Sequence, residues 1–317
     1  MHVFTTAPET ARVHSHGRTT SLTSSGLPSL IVAGLLWGTG GLTGRLLANT
    51  THLGALAVAA YRLTIGGTLI VAFLLVAGRK RPRGKAAWTR IVQIAVLAAA
   101  FQGCYFSAVA LTDVSLATLF TIGASPVMVL AFEQATGRRR ATRKNVSAVC
   151  LALTDLVLLV GFPQGAFTTT DVLASVGMAT LSAAGFAAVT LVSTKPVSGL
   201  DELTTTGYAF ALGGLALAAI STTTSTMTFH SGPKSLALLL VLGTAPTAVA
   251  YTLYFRGLKT VAASTATVIA LLEPLTGALL AATFLGDRLG LTGLAGASLL
   301  AVAVLLTSTS RTPTPDR

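Results

Sequence analysis

The sequence contains few charged residues. Only 10% of its 317 residues are Asp, Glu, Lys or Arg, whereas 52% are hydrophobic and the mean hydropathy is +0.74. Soluble domains carry about a quarter charged residues, so this composition excludes an ordinary soluble protein and indicates an integral membrane protein. The 22 Lys and Arg outnumber the 10 Asp and Glu. Because the basic residues stand in short segments between apolar runs, they do not indicate nucleic-acid binding.

Residues that build metal and catalytic sites are also scarce. Cys104 and Cys150 both fall within apolar runs, which favours reduced thiols over a disulfide or a metal site. No His lies in an apolar run, no Cys–His ligand spacing occurs, and there is no Gly-Lys-Ser/Thr phosphate-binding loop. We therefore expect no enzymatic activity, no metal and no cofactor.

The apolar runs predict an all-α integral membrane protein with ten transmembrane helices, since about 20 apolar residues suffice to cross a bilayer. The predicted spans cover residues 28–47, 54–77, 88–111, 114–135, 145–162, 172–192, 203–221, 235–255, 262–285 and 290–308. Residues 1–26 are polar and rich in Ser, Thr and His, so we expect a disordered cytoplasmic tail there. Residues 309–317 form a second cytoplasmic tail.

The basic loops predict the orientation in the membrane. The loops after the second and fourth spans are the most basic, and loops of this kind remain in the cytoplasm. This places both termini in the cytoplasm and the protein in the cell (inner) membrane. All but four of the 22 Lys and Arg then lie inside, the exceptions being Arg45, Arg62, Lys234 and Arg288.

The two halves of the sequence resemble one another at an offset of 147 to 149 residues. The matching residues are Tyr61 with Tyr208, Gly66-Gly67 with Gly213-Gly214, Tyr105-Phe106 with Tyr254-Phe255, and Pro126 with Pro274. Because each half holds five spans, the second half enters the membrane upside down. The pattern predicts two inverted five-helix repeats, residues 27–162 and 172–308, with proline-broken helices at matching positions and a binding site near the midplane. Coincidence within a low-complexity apolar chain is the alternative.

Glu273 lies near the midpoint of the ninth span, next to Pro274. A carboxylate at that depth costs about 2.5 kcal/mol or more, so it should face protein or a water-filled cavity. Pro274 cannot donate a hydrogen bond to the carbonyl of Ala270, which predicts an interrupted helix. Helical spacing places Glu273 on a small, polar face that excludes Leu271. Either the acid binds a proton or a cationic group, or it is structural and bonds to a neighbouring helix.

Arg62 and Asp155 form a second pair of charges within spans. Their predicted depths are similar, and a buried charge needs a partner, so they are candidates for a buried pair that fixes the second and fifth helices. Arg62 is also a candidate to bind an anionic group of a substrate.

Other polar and aromatic residues within spans suggest a cavity lining or interhelical hydrogen bonds. Thr247, Tyr251 and Tyr254 recur at helical spacing in the eighth span, and Gln102 and Tyr105 form a similar face in the third. The remaining candidates are Trp37, in the glycine-rich first span, and the two prolines, Pro126 and Pro274.

Several of these segments resemble the EamA-type drug/metabolite transporters over residues 28–308. They are LLWGTGGLTGRLL (35–47), AAYRLTIGGTLI (59–70), the paired Tyr-Phe segments, and LLEPLTGALLAATFLGDRLG (271–290). The resemblance implies two inverted five-helix repeats around a central cavity, and export of metabolites by alternating access. The sequence departs from the family pattern at FEQATGRRRA (132–141) and at Asp155.

The expected function is that of an inner-membrane secondary transporter exporting small metabolites, amino acids or drugs. An uncoupled facilitator or exchanger, and a membrane-embedded enzyme acting on lipid-linked substrates, are the alternatives. The expected partners are a small-molecule substrate and the lipid bilayer, with protons and a second copy of the chain as further candidates and no nucleic acid.

Overall fold

The computed structural model is built of helices packed side by side. It describes residues 26–112, 114–138, 142–160, 167–224, 227–229, 232–284 and 291–308. The helices are α1 (Gly26–Thr51), α2 (Ala55–Val76), α3 (Lys85–Leu111), α4 (Val114–Ala135), α5 (Arg143–Val160), α6 (Thr169–Ser193), α7 (Glu202–Thr224), α8 (Pro233–Gly243), α9 (Ala250–Gly257), α10 (Ala263–Ala270), α11 (Leu272–Phe284) and α12 (Leu291–Ser308). A π-helical turn, Thr244–Val249, joins α8 to α9. The predicted all-helical class is confirmed.

Eight helical stretches among the described residues are long and apolar enough to cross a membrane. They are Gly26–Thr51, Ala55–Val76, Lys85–Leu111, Leu116–Ala135, Thr169–Ser193, Glu202–Thr223, Pro233–Gly257 and Ala263–Phe284. The protein is therefore a multi-span membrane protein. Helices α5 and α12, of 18 residues each, are not among these eight, so the count of ten spans stays a prediction. Apart from Gly26, where α1 begins, both predicted tails lie outside the described residues.

The most extensive helix packing joins corresponding parts of the two halves of the chain. Helix α2 packs against α7, and α5 against α12. Two further contacts, of α3 and of α4 with α6, have counterparts in the contacts of α9 and of α11 with α1. Each of these helix contacts therefore has an equivalent contact when the two halves of the chain are exchanged, as a structural repeat requires.

Two glycines allow α2 and α7 to cross at backbone contact. A Cβ atom added to Gly67 would lie 2.1 Å from the backbone nitrogen of Ala211. A Cβ atom added to Gly214 would lie 2.4 Å from the backbone nitrogen of Thr64. These two contacts use equivalent positions of the repeat, and no side chain larger than hydrogen fits at either glycine. Small residues let membrane helices approach closely in this way.

The two matching prolines have different effects on their helices. The ninth span is interrupted as predicted: α10 ends at Ala270 and α11 begins at Leu272, with the Leu271 amide donating to the Val268 carbonyl at 3.1 Å. The predicted break at Pro126 is wrong, because α4 continues through it. The Ser125 hydroxyl donates to the Ile122 carbonyl at 3.0 Å, which satisfies the acceptor that Pro126 cannot serve.

Helix α10 is buried on every side, which corrects the predicted arrangement of its faces. All eight of its residues, and Leu271 after it, are buried. The reason is that α10 contacts five helices, α1, α4, α5, α6 and α12. The predicted outward side of the span is present only in α11, where Leu279 is 48% exposed.

Candidate functional site

Arg62, on α2, lies among polar groups contributed by both halves of the chain. Its Nε donates a hydrogen bond to Thr247 Oγ1 at 3.3 Å. The guanidinium also interacts electrostatically with Glu273, Tyr105 and Tyr251. Arg62 and these four neighbours belong to four different spans, and each of the five residues was a separate candidate in the sequence analysis.

Glu273 lies in the first turn of α11, where its side chain is half-buried. Among the described residues, Arg62 is the cation that interacts with it. A positive and a negative group therefore face the same region, where each lowers the cost of burying the other.

The polar faces predicted in the third and eighth spans meet each other. Gln102 Nε2 donates to the Tyr251 hydroxyl at 3.4 Å, and both side chains are buried. The hydroxyl of Tyr105 shares a hydrogen bond with Thr118 at 3.0 Å. Gln102 and Tyr105 are separated from Tyr251 and Tyr254 by 149 residues each, so the two faces occupy equivalent positions in the two halves.

Trp37 lies at the centre of an aromatic cluster beside these polar groups. Its ring centroid is 4.9 Å from those of Tyr251 and Tyr254 and 5.9 Å from that of Phe186. Trp37 is 4% exposed, and its buried Nε1 has no hydrogen-bond partner among the residues that the structure describes. A buried N–H group without a partner is costly, so this donor is available to a ligand that enters the cluster.

Sequence reasoning missed several residues of this site. Phe186 stacks on Tyr254 at 5.7 Å, Phe210 contacts Tyr251 at 4.7 Å, and the Thr190 hydroxyl bonds that of Tyr254 at 2.9 Å. Phenylalanine in an apolar span gives no signal that separates a cavity wall from a lipid-facing surface. The helical spacing of Phe186 and Thr190, four residues apart on α6, is the one pattern that could have indicated them.

The predicted pairing of Arg62 with Asp155 remains a prediction. The side chain of Asp155 lies outside the described residues. The main contacts of α5 are with α4, α10, α11 and α12, whereas those of α2 are with α1, α3, α7, α8 and the π-helical turn. The structure therefore supplies Arg62 with Thr247 and Glu273 as neighbours that the sequence did not suggest.

Charged side chains make several contacts at the end of the bundle where the basic loop of residues 79–85 lies, which we call the basic end. Glu202 forms an ion pair with Lys259, and Arg79 lies 3.6 Å from Asp201. Arg90 Nη1 donates to the carbonyls of Val192 and Lys195, both at 2.7 Å. These contacts tie α2, α3 and α9 to the α6–α7 connection. A cavity of only about 30 Å³ remains between them.

The site has groups for binding a charged or aromatic molecule. Within the described part of the chain, no group of three or more His, Cys, Asp or Glu side chains is arranged to hold a metal ion. What the site does offer is one carboxylate, one guanidinium, hydroxyl groups and aromatic rings.

Comparison with known proteins explains the repeat. The EamA-like transporter family model matches residues 24–161 and again residues 173–309. The chain belongs to the EamA-like transporter family. It is a membrane transporter, and the resemblance seen in the sequence is confirmed.

Two curated relatives cover nearly the full length of this EamA-family chain. Uncharacterized transporter YwfM of Bacillus subtilis (strain 168) is 29% identical over 279 residues, which are 88% of this chain and 92% of the relative. Uncharacterized inner membrane transporter YicL of Salmonella typhimurium (strain LT2) is 25% identical over 294 residues, or 90% and 96%. A solved crystal structure at 19% identity shares the fold, with a TM-score of 0.76 over 90% of this chain and 98% of the other.

Proposed function

We propose that this EamA-family protein is an inner-membrane secondary transporter that exports a small metabolite, an amino acid or a drug. In this proposal its two halves alternate access to a site near the midplane that contains Glu273 and Arg62. The observation that carries the proposal is the position of these two opposite charges between the halves, among hydroxyl groups and aromatic rings.

The composition of the site supports alternating access. Arg62, Gln102 and Tyr105 come from the first half of the chain, and Thr247, Tyr251 and Glu273 come from the second. Any movement of one half against the other changes the distances between these groups. A ligand held by both sets therefore has different affinities in the two arrangements, which is the requirement for coupling binding to movement.

The packing of the helices supports an inverted repeat of two five-helix units, residues 27–162 and 172–308. An odd number of spans in each unit reverses the second unit, and the matched contacts of α2 with α7 and of α5 with α12 fit that relation. The basic loops place the basic end and both termini in the cytoplasm in this proposal. The ion pair of Glu202 with Lys259 then closes the cytoplasmic side. A homodimer remains a prediction.

Transport through this site could be driven by protons that bind to Glu273, or it could proceed without a coupling ion. Arg62 interacts electrostatically with the acid, and an acid that kept a cation beside it throughout the cycle would not have to exchange protons during transport. This observation favours a second candidate, an uncoupled facilitator or exchanger that uses the same site. Both candidates bind substrate between Arg62 and Glu273, and they differ only in the energy source.

Solute flux in proteoliposomes tests the proposal. The purified chain is reconstituted, and uptake of radiolabelled metabolites, amino acids and cationic drugs is measured with and without an imposed pH gradient. Uphill accumulation that depends on the gradient supports proton coupling. Counterflow without a gradient supports the exchanger. Liposomes that hold an Arg62→Gln, Glu273→Gln double variant serve as the control, and equal flux through variant and wild type would contradict the proposed site.

A further inference from the structure

Two apolar grooves on the outer surface of the bundle flank the side chain of Trp88. One, which we call the α3 groove, has a volume of about 680 Å³ and is lined by Trp88, Val92, Val96, Leu97 and Val192. The other, the α2–α7 groove, has a volume of about 430 Å³ and is lined by Val71, Leu75, Trp88, Tyr208 and Leu212. Both volumes lie in the range of about 300–1,000 Å³ that is usual for ligand sites.

Trp88 forms the ridge between the two grooves. It is the fourth residue of α3, and 41% of its surface is exposed. Its ring packs edge-on against Tyr208 of α7, with the centroids 5.8 Å apart. Trp and Tyr are enriched where the hydrocarbon of a bilayer meets the headgroups, so this pair marks the headgroup level of one leaflet.

Positive charges lie immediately beyond the grooves, at the same end of α3. Lys80, Arg81, Arg83 and Lys85 are exposed, and no ion pair joins them to the described part of the chain. Arg79 differs from them because it lies 3.6 Å from Asp201. Four cations without an ion pair to a described residue thus lie at the headgroup level, next to the two apolar grooves. Their positive charge complements an anionic headgroup, and the two grooves match its two acyl chains.

A polar side chain inside the α3 groove gives a second, independent indication. Gln93 lines this groove and is exposed, although it lies eight residues into α3 from Lys85, or about 12 Å along the helix. Within the described residues its amide makes no hydrogen bond. An amide that faces hydrocarbon is costly without a polar partner, so this position favours an occupant of the groove that carries polar groups of its own.

We propose that the two grooves bind one diacyl anionic phospholipid of the leaflet at the basic end. One acyl chain occupies each groove, the indole of Trp88 lies between the chains, and the phosphate contacts Arg83 and Lys85. The site is separate from the residues around Glu273 and does not depend on which solute the protein transports.

Native mass spectrometry of the full chain tests the site. The detergent-solubilised protein is incubated with phosphatidylglycerol or with phosphatidylcholine of the same acyl composition, and retained lipid is counted. We expect one phosphatidylglycerol to be retained in preference to phosphatidylcholine. An Arg81→Gln, Arg83→Gln, Lys85→Gln variant should lose this preference by about tenfold or more, because each cation near a membrane surface contributes measurably to anionic lipid binding.

Two further variants test the contributions of charge and of the grooves separately. An Arg138→Gln, Arg143→Gln, Lys144→Gln variant changes the same number of charges in the other basic loop, and it should retain the lipid as wild type does. Val96 is 61% exposed, so Val96→Trp should fold while filling the α3 groove, and it should lose the retained lipid of either headgroup.

Several outcomes would overturn the proposal. They are equal retention of the two lipids by wild type, equal loss of phosphatidylglycerol in both charge variants, and unchanged retention in Val96→Trp. Protection of the protein against heat by inorganic phosphate as well as by phosphatidylglycerol would show an anion site without a lipid site. A dimer that forms as the lipid is removed, with Trp88 at its interface, would assign the grooves to a second copy of the chain.

Discussion

Arg62 Nε donates a hydrogen bond to Thr247 Oγ1 across 3.3 Å, joining residues that are 185 positions apart in the chain. The same hydroxyl donates to the Leu242 carbonyl at 2.7 Å, a bond that spans five residues and runs from the π-helical turn back to the end of α8. The position of the guanidinium therefore depends on the irregular backbone around Pro246. π-Helical turns of this kind are frequent at functional sites.

Glu273 should be needed for the energy coupling of transport and not only for the fold. Glu273→Gln keeps the shape and the hydrogen-bonding capacity of the side chain but removes its charge change. We expect this variant to insert normally and to lose pH-driven uphill transport while it retains exchange. Flux in proteoliposomes measures both activities. Glu133→Gln, which alters a buried acid of α4, is the control. Full accumulation by Glu273→Gln would make the acid structural.

Arg62 should be energetically coupled to Glu273. Removing one of two opposite charges within the spans leaves the other uncompensated. The cost is about 3–5 kcal/mol for a fully buried pair, so Arg62→Met should destabilise the protein measurably but by less than that, because both side chains are only half-buried. Adding Glu273→Gln should restore part of that loss. Double-mutant cycles on thermal unfolding in detergent measure the coupling. A second cycle, of Arg62→Met with Asp155→Leu, tests the pairing predicted from the sequence. If Arg62 is coupled to Asp155 while its effect is additive with that of Glu273→Gln, then Asp155 and not Glu273 is the partner of Arg62.

Gly67 should tolerate no side chain. Gly67→Ala places a Cβ atom against the backbone of α7, and overpacking of this kind typically costs about 1–3 kcal/mol or more. Gly41→Ala is the matched control, since a Cβ atom there meets nothing within 4 Å. Size-exclusion profiles of fluorescently tagged variants should show aggregated Gly67→Ala and monodisperse Gly41→Ala. A monodisperse Gly67→Ala with wild-type melting would mean that α2 and α7 do not cross at this point.

The ion pair of Lys259 with Glu202 should hold the basic end closed. In a variant without native cysteines, a cysteine replacing Ile94, which lines the small cavity there, should react slowly with polar thiol reagents. Lys259→Gln should make the reaction faster, and the exchange Lys259→Glu, Glu202→Lys should slow it again. Arg79→Gln is the control, because its pair with Asp201 is exposed and contributes little. If the exchanged variant labels as fast as Lys259→Gln, packing and not the pair closes this end.

Both termini and the basic end should face the cytoplasm. Cysteines at Arg83 and Thr228, placed one at a time in the variant without native cysteines, should react with an impermeant reagent from opposite sides of the membrane. Thr228 should label in intact cells and Arg83 only after permeabilisation. Labelling of both positions from outside would contradict the orientation and the inverted repeat together.

The extent of the fold was predictable because apolar runs and basic loops carry information at every residue. The break at Leu271 followed from Pro274, since a missing backbone donor has a local effect. The continuity of α4 at Pro126 did not follow, because it depends on a hydroxyl of the preceding residue that turns back to Ile122. In the second half, Glu273 stands at the position equivalent to Ser125 and has no such hydroxyl. The helix is therefore continuous at Pro126 and interrupted before Pro274.

The candidate site was predictable as a set of residues but not as an arrangement. Glu273, Arg62, Gln102 and Tyr251 were recognisable because polar groups are rare within spans. The residues that lie next to Arg62 could not be predicted, because the depth of a residue along its helix does not show which helices pack together. The aromatic wall of Phe186 and Phe210 was missed for the opposite reason, because apolar side chains are ordinary in every span.

The crossing of α2 and α7 has a consequence for biosynthesis. A chain made from its N-terminus inserts Gly67 and Arg62 long before Ala211, Thr247 and Glu273 have been synthesised. Until then α2 carries an uncompensated guanidinium and an open glycine surface, so it has to be sheltered by the insertion machinery or held with its cation at the headgroups. A chain released early, as by a nonsense codon between the halves, would keep both liabilities and be a substrate for membrane quality control.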